Sequence, residues 1–143
     1  MTGAAITRHD TLPDGARTLR MQVFVAEQGI AEALELDGSD DAPGWVHWLA
    51  EEDGAPVSTL RTRIDNGVLK IGRVATARPA RGRGLSARLL AAALEAGRAE
   101  GATRAYLSAQ EPVVPFYARH GFLAEGAPYD DAGIPHRDMW RDL

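Results

Sequence analysis

Apolar positions along the chain follow two rhythms that alternate from one end to the other. Alternating or continuous apolar runs predict strands over Ala4–Arg8, Trp45–Ala50, Pro56–Ile64, Val68–Thr76 and Ala105–Ala109. Spacings of three and four predict helices between them. Ala16, Leu19, Val23 and Ala26 recur at helical spacing after Pro13-Asp14 and stop at Gly29, and a short helix follows around Ala31–Leu36. Leu85, Leu89, Ala92 and Ala96 form the apolar stripe of a helix over Leu85–Ala99, which Gly101 ends. Pro112 suits a first helical turn, and a helix over Val113–His120 stops at Gly121. Glu52-Asp53-Gly54 and Asp65-Asn66-Gly67 are turn signals, so three antiparallel strands precede the long helix. The tail reads as two closing strands around a loop over Tyr129–Pro135. The whole is an alternating α/β chain without repeats, and its 143 residues suit one domain spanning 1–143.

Composition narrows the function classes. No apolar run approaches the roughly 20 residues of a membrane span. The N-terminal stretch M-T-G-A-A-I-T-R-H-D has no basic region followed by an apolar core, which makes the cytoplasm the expected setting. The absence of cysteine excludes disulfides, thiolate metal sites and a cysteine nucleophile. His9, His47, His120 and His136 lack metal-ligand spacing, so no metal is expected.

Charge is segregated along the chain. Met21–Leu60 holds no Lys or Arg, whereas Glu27, Glu32, Glu35, Asp37, Asp40, Asp41, Glu51, Glu52 and Asp53 all fall there. Arg61–Arg104 holds ten cations against Asp65, Glu95 and Glu100. Two readings stay open: solvated faces that segregate by sign, or an acidic end for a cationic partner and a basic end for an anionic one. Nucleic acid fits poorly, because net charge is −4 and the basic segment lacks interleaved aromatics.

The densest chemistry lies in A-R-P-A-R-G-R-G-L-S-A-R-L-L, residues 77–90. Gly82, Gly84 and Ala87 would satisfy a dinucleotide-binding pattern. However, Ala77–Arg81 separates the strand from the first glycine, and that strand is one arm of a hairpin. No G-K-[ST] follows, which excludes a P-loop. What remains is an arginine-bearing glycine turn that opens a helix, an arrangement suited to a pyrophosphate.

Arg73–Leu90 resembles motif A of the GNAT superfamily of acyl-CoA N-acyltransferases, with Arg81, Gly84 and Ser86 in the three defining positions. Ser86 stands where the family has Gly or Ala. Leu107–Phe122 resembles motif B: Phe116, Tyr117, Gly121 and Phe122 match, while Gln110 and Val113 replace Asn and Ala. Val23–Gln28, Glu35–Asp40, His47 and Gly133–His136 resemble the ElaA-like subgroup.

The resemblance implies a mixed, mostly antiparallel sheet of six to seven strands with about four helices, splayed at a central cleft. Acetyl-CoA is the implied cosubstrate, its pantetheine paired with Val74, Ala75 and Thr76 and near Gln110. The backbone of Arg81, Gly82, Arg83, Gly84, Leu85 and Ser86 would hold its pyrophosphate. Arg78 and Arg88 would help to neutralise the nucleotide phosphates. Tyr117 takes the position of the general acid for the leaving thiolate. Without cysteine, direct attack by a primary amine in a ternary complex is favoured.

Glu27 is one candidate base, if desolvation raises its pKa, and His47 and His136 are others. Glu27, Gln28, His47 and His136 are the expected acceptor contacts. By strand alternation Trp45 and His47 share a face and Val46 and Trp48 the other, one core and one lining the acceptor pocket. Asp37 and Asp40 would either cap a loop or contact substrate, and His120 is read as a helix-end cation. The acceptor is an amine on a small molecule or peptide, a cationic one under the second charge reading; membranes are not expected partners, and monomer and homodimer both stay open. The rival function is a non-catalytic acyl-CoA-binding module.

Overall fold

The computed structural model describes residues 4–143, so the first three positions of the N-terminal stretch lie outside it. Seven strands form one sheet in the order β1-β2-β3-β4-β5-β7-β6. β1 (Ala5–His9), β2 (Val46–Glu52), β3 (Ala55–Asp65) and β4 (Val68–Thr76) pair antiparallel in succession. Asn66 and Gly67 link β3 to β4 with φ of 50° and 76°, the turn whose twist suits a two-residue hairpin. Helix α3 (Leu85–Ala99) then carries the chain across to β5 (Arg104–Gln110), which runs parallel to β4. β7 (Ile134–Asp142) lies between β5 and β6 (Leu123–Asp131), antiparallel to both. Three shorter helices, α1 (Asp14–Arg20), α2 (Glu32–Glu35) and α4 (Val114–Arg119), complete the expected set.

Helix α3 covers one face of the sheet, where Leu85, Leu89, Leu90 and Leu94 pack with Trp48, Leu60, Leu69 and Leu107. Its buried stripe is Leu85, Leu89, Leu90, Ala93, Leu94 and Gly97, rather than the expected Leu85, Leu89, Ala92 and Ala96. Ala92 and Ala96 flank the core half-buried. Gly97 explains the offset. A Cβ there would sit 2.7 Å from Leu69 Cδ2, so the helix presses closest to the sheet at a residue that carries no apolar signal.

Helix α1 covers the other face, with Ala16 and Leu19 against Leu49. The expected single helix to Gly29 is interrupted. Met21–Glu27 is π-helical, and the Gln28 amide donates to the Val23 carbonyl at 3.1 Å. The wider turn rotates the buried face, so Val23 and Phe24 pack on Ala75 of β4 while Ala26 is exposed. The expected loop over Tyr129–Pro135 is also corrected. β6 and β7 continue through it to a two-residue turn at Ala132-Gly133, with φ of 53° and 79°.

The central feature is a splay. β4 and β5 are bridged only from Val68–Ile71 to Arg104–Leu107, although β4 runs on to Thr76 and β5 to Gln110. A bulge in β4 marks the parting: Gly72 faces Arg61 and Ala75 faces Thr59, and Arg73 between them has φ of 53°. Bulges bend and twist the strand that carries them. Beyond this bend the β5-facing edge of Val74–Thr76 pairs with no strand among the described residues. No described helix is long and apolar enough to cross a membrane.

Candidate active site

The glycine turn sits at the open end of the splay. Gly84 caps α3 with φ of 76° and no side-chain cap bond, leaving the first-turn amides of α3 without a partner from the cap. Gly82 has φ of 78°, and a Cβ on either glycine would meet no atom within 4 Å. The amides are therefore exposed to an incoming anion, and the turn needs glycine for its backbone conformation rather than for space. Leu85 is buried and anchors the helix start. Ser86 Oγ contacts Thr76 Oγ1, which also meets Ser58 Oγ at 2.9 Å, so a line of hydroxyls ties the end of β4 to the start of α3. These residues fit coenzyme A: an unpaired strand edge for an extended amide chain beside a helix start for phosphate.

The cradle arginines are already paired. Arg81 Nη2 donates to Glu27 Oε2 at 2.6 Å and Arg81 Nε to the Thr76 carbonyl at 3.0 Å. Arg78 lies 3.6 Å from the same Glu27 oxygen. Arg83 grips Glu52 through two nitrogens. Arg88, in the first turn of α3, donates to the Ala4 carbonyl at 3.4 Å.

Glu27 departs from expectation in one respect. Its hydrogen bond to Arg81, with the charges of Arg81 and Arg78, pulls its pKa down, against the rise expected of a desolvated base. As placed, it is a counter-ion. Gln28, the next residue, exchanges two amide hydrogen bonds with Gln110 at 3.1 and 2.9 Å. Residues 27 and 28 thus touch both banks of the splay, one the loop after β4 and the other the end of β5.

Tyr117 on α4 is 6% exposed, with its ring edge-on to Phe116 and Phe122. Burial alone pushes its phenol well above the ordinary value, so it holds its proton at any physiological pH. His120, at the C-cap of α4, packs its ring on Phe116. His136 of β7 lies opposite Gln110 in the β5–β7 register. Its Nδ1 is 2.7 Å from the Ile134 carbonyl, which can only accept, so Nδ1 is the donor in that bond and Nε2 is the ring nitrogen outside it.

His47 is displaced from the expected acceptor side. It is 1% exposed on the face beneath α1, its Nε2 3.9 Å from Asp40 Oδ1 and without a hydrogen bond. Burial, followed by the neighbouring Arg20 and Arg61, outweighs Asp40 and lowers its pKa, so it is held neutral. Strand β2 begins at Val46, and Trp45 lies outside it under the Arg61 guanidinium at 4.2 Å. Trp48 is in the α3-side core, where it and Val46 border a cavity with Arg8, Leu69 and Gly97, while the His47 face lies beneath α1.

Around His47 lies an ion network that the sequence reading missed. Arg20, 1% exposed, donates to Glu35 Oε1 at 2.5 Å and to both oxygens of Asp40 at 3.0 and 2.9 Å. Arg61 adds a bond to Asp40 at 2.8 Å, and Arg73 at the bulge lies 3.2 Å from Glu35. Asp37 accepts from the Ser39 amide at 2.9 Å, the capping role open to it from sequence. The signal was Arg20 itself, a charge at helical spacing from Ala16 on an apolar face. These pairs also decide the charge question. Glu27, Glu35, Asp40 and Glu52 of the acidic segment pair with Arg61, Arg73, Arg78, Arg81 and Arg83 of the basic one. Those opposite signs serve each other within the chain.

Residues 10–143 match the family profile described as Acetyltransferase (GNAT) domain. A UPF0039 protein of Mycobacterium tuberculosis is 43% identical over 129 residues, covering 86% of this chain and 80% of that one. The crystal structure of an acyl-CoA N-acyltransferase from Pseudomonas aeruginosa superimposes with TM-score 0.84 and 34% identity, over 97% of this chain and 99% of that one. The structure of Escherichia coli ElaA superimposes with TM-score 0.85 and 26% identity, over 97% and 99% of the two chains. The chain belongs to the GNAT acetyltransferase family, and it is an acyltransferase.

Proposed function

We propose that this acyltransferase moves an acetyl group from acetyl-CoA to a primary amine by direct attack, with Tyr117 as general acid. The observation that carries the reading is the splay: an unpaired β4 edge at Val74–Thr76 that ends at the glycine turn and the open start of α3. Pantetheine amides would pair with that edge, and the amides from Arg81 to Ser86 would hold the pyrophosphate. Acetyl-CoA supplies the thioester; the chain's own residues have to orient it and manage two protons.

The transfer forms a C–N bond and breaks a C–S bond. The nitrogen loses a proton, and the departing thiolate needs one. Tyr117 suits the second task, because a phenol kept protonated by burial is a donor throughout the working pH range. His136 Nε2 suits the first when the ring is neutral, since the Ile134 carbonyl engages Nδ1 instead. Glu27, ionised and held on Arg81, suits the role of counter-ion better than that of base.

A thiol-release assay with acetyl-CoA and a panel of primary amines tests the proposal, alongside calorimetric titration with CoA. Acceptor-dependent thiol release is the expected result. CoA binding without such release across the panel would identify a binding module instead.

A further inference from the structure

On the face of the sheet opposite α3, the strands β5 and β7 present Tyr106, Ser108 and Gln110 beside Trp140, Asp138 and His136. Their neighbours Leu107, Ala109 and Met139 point into the α3-side core, so the alternation is unambiguous. Helix α1 packs on β2, β3 and β4, and α4 packs on β5 and β6 from the core side. Among the described residues, this half of the face carries no helix.

Asp138 is the centre of this face. Tyr106 donates to its Oδ1 at 2.6 Å and Tyr129 to the same oxygen at 2.7 Å, with Ser108 Oγ against the Tyr129 hydroxyl. Two phenols converge on one carboxylate oxygen, and Oδ2 accepts no bond among the described residues. The side chain is half-buried and pairs with no cation among those residues. Lys70, on the strand beside Tyr106, goes to Asp65 at 3.3 Å. Arg61 goes to Asp40 and Arg73 to Glu35. Glu27, Glu35, Asp37, Asp40 and Glu52 of the acidic segment are spent on the chain's own arginines, whereas this carboxylate, from β7, is not.

Its position relative to the splay gives it meaning. Leu107 is the last β5 residue bridged to β4, so Ser108 is the first beyond the parting, and Asp138 is its register partner. Neighbouring strands lie about 5 Å apart, so the carboxylate stands one strand from the apex of the cleft. Gly72, on the other bank, bears no side chain to block the way.

We propose that Asp138 is a specificity-determining residue that binds a second cationic group of the acceptor, selecting aliphatic diamines and basic amino acids over monoamines. The inference rests on the acetyltransferase reading. Tyr106 and Tyr129 orient the carboxylate, its free oxygen receives the distal ammonium, and the proximal amine is left towards the apex. A short aliphatic spacer matches one strand spacing.

The test compares 1,4-diaminobutane with n-butylamine as acceptors for the wild type and for Asp138→Asn, which keeps an oxygen for both tyrosines but removes the charge. The wild type should prefer the diamine by about tenfold or more in kcat/KM, through KM. Asp138→Asn should abolish that preference and leave n-butylamine turnover and CoA affinity within about twofold. Tyr129→Phe, which keeps the charge, should retain most of the preference. Equal use of the two amines by the wild type, a parallel loss for both in the variant, or no thiol release with either would overturn the assignment. Loss of CoA binding by the wild type would instead overturn the acetyltransferase reading beneath it.

Discussion

The Glu27 carboxylate lies 2.6 Å from the guanidinium of Arg81, the arginine that opens the glycine turn. Under the proposed function, a pyrophosphate arriving at Arg81 would have to compete with this carboxylate. Glu27→Gln removes the competitor. CoA affinity should rise roughly two- to fivefold, the range of an exposed ion pair, as read by isothermal titration. Unchanged affinity would mean that Arg81 does not meet the phosphates. A fall in turnover at unchanged affinity would return Glu27 to the list of bases.

Tyr117→Phe removes the proposed proton donor and keeps the ring that packs on Phe116 and Phe122. Turnover should fall about tenfold or more, with CoA affinity within twofold. Because burial raises the phenol, its deprotonation should put no basic limb on the wild-type pH–rate profile below about pH 10. Full turnover in the variant would remove Tyr117 from the chemistry.

Gly84→Ala separates conformation from space. A Cβ meets nothing within 4 Å there, yet φ of 76° is unfavourable to alanine, so a loss of about 1 to 2 kcal/mol is expected in denaturant unfolding. Gly84→Asn, which tolerates the left-handed region better, should lose less. Equal losses would point to contacts of the new side chain instead.

Arg20→Met tests the buried network. It leaves Glu35 and Asp40 without their shared cation, and a loss of about 3 to 5 kcal/mol is expected. Burial works to raise the Asp40 carboxyl, but the bonds and charges of Arg20 and Arg61 outweigh it and hold the group at about 2. A depressed folded-state pKa gives stability that is present above the unfolded value near 4. It is lost as pH falls through about 2. Asp40→Asn should flatten the unfolding free energy across that interval.

The strands and helix starts were legible because local signals set them: Asn66-Gly67 for the hairpin, Gly84 for the start of α3, Gly121 after α4. Val23 and Phe24 show where such reading stops. The π-helical turn goes with the burial of Arg20 on Glu35 and Asp40 and of Phe24 on Ala75, and no spacing within residues 14–29 announces it. For the candidate site, motif spacing singles out Arg81, Gly84 and Tyr117. It does not single out the partners of Arg81 and Arg83, because Glu27 and Glu52 lie 54 and 31 residues away and meet them only when the sheet forms. Asp138 was invisible for the same reason: its meaning comes from Tyr106 and Tyr129, on two other strands.

An unpaired strand edge is ordinarily a hazard, since a strand from another molecule can add to it and begin an aggregate. Here the bare edge of Val74–Thr76 is recessed in the middle of the sheet. It is approached from the open end, past Arg81 on one bank and the Gln28–Gln110 pair on the other. A slender thread can enter that gap more readily than a polypeptide with side chains on both faces. The opening that makes room for a cosubstrate therefore also shields the protein from its own kind.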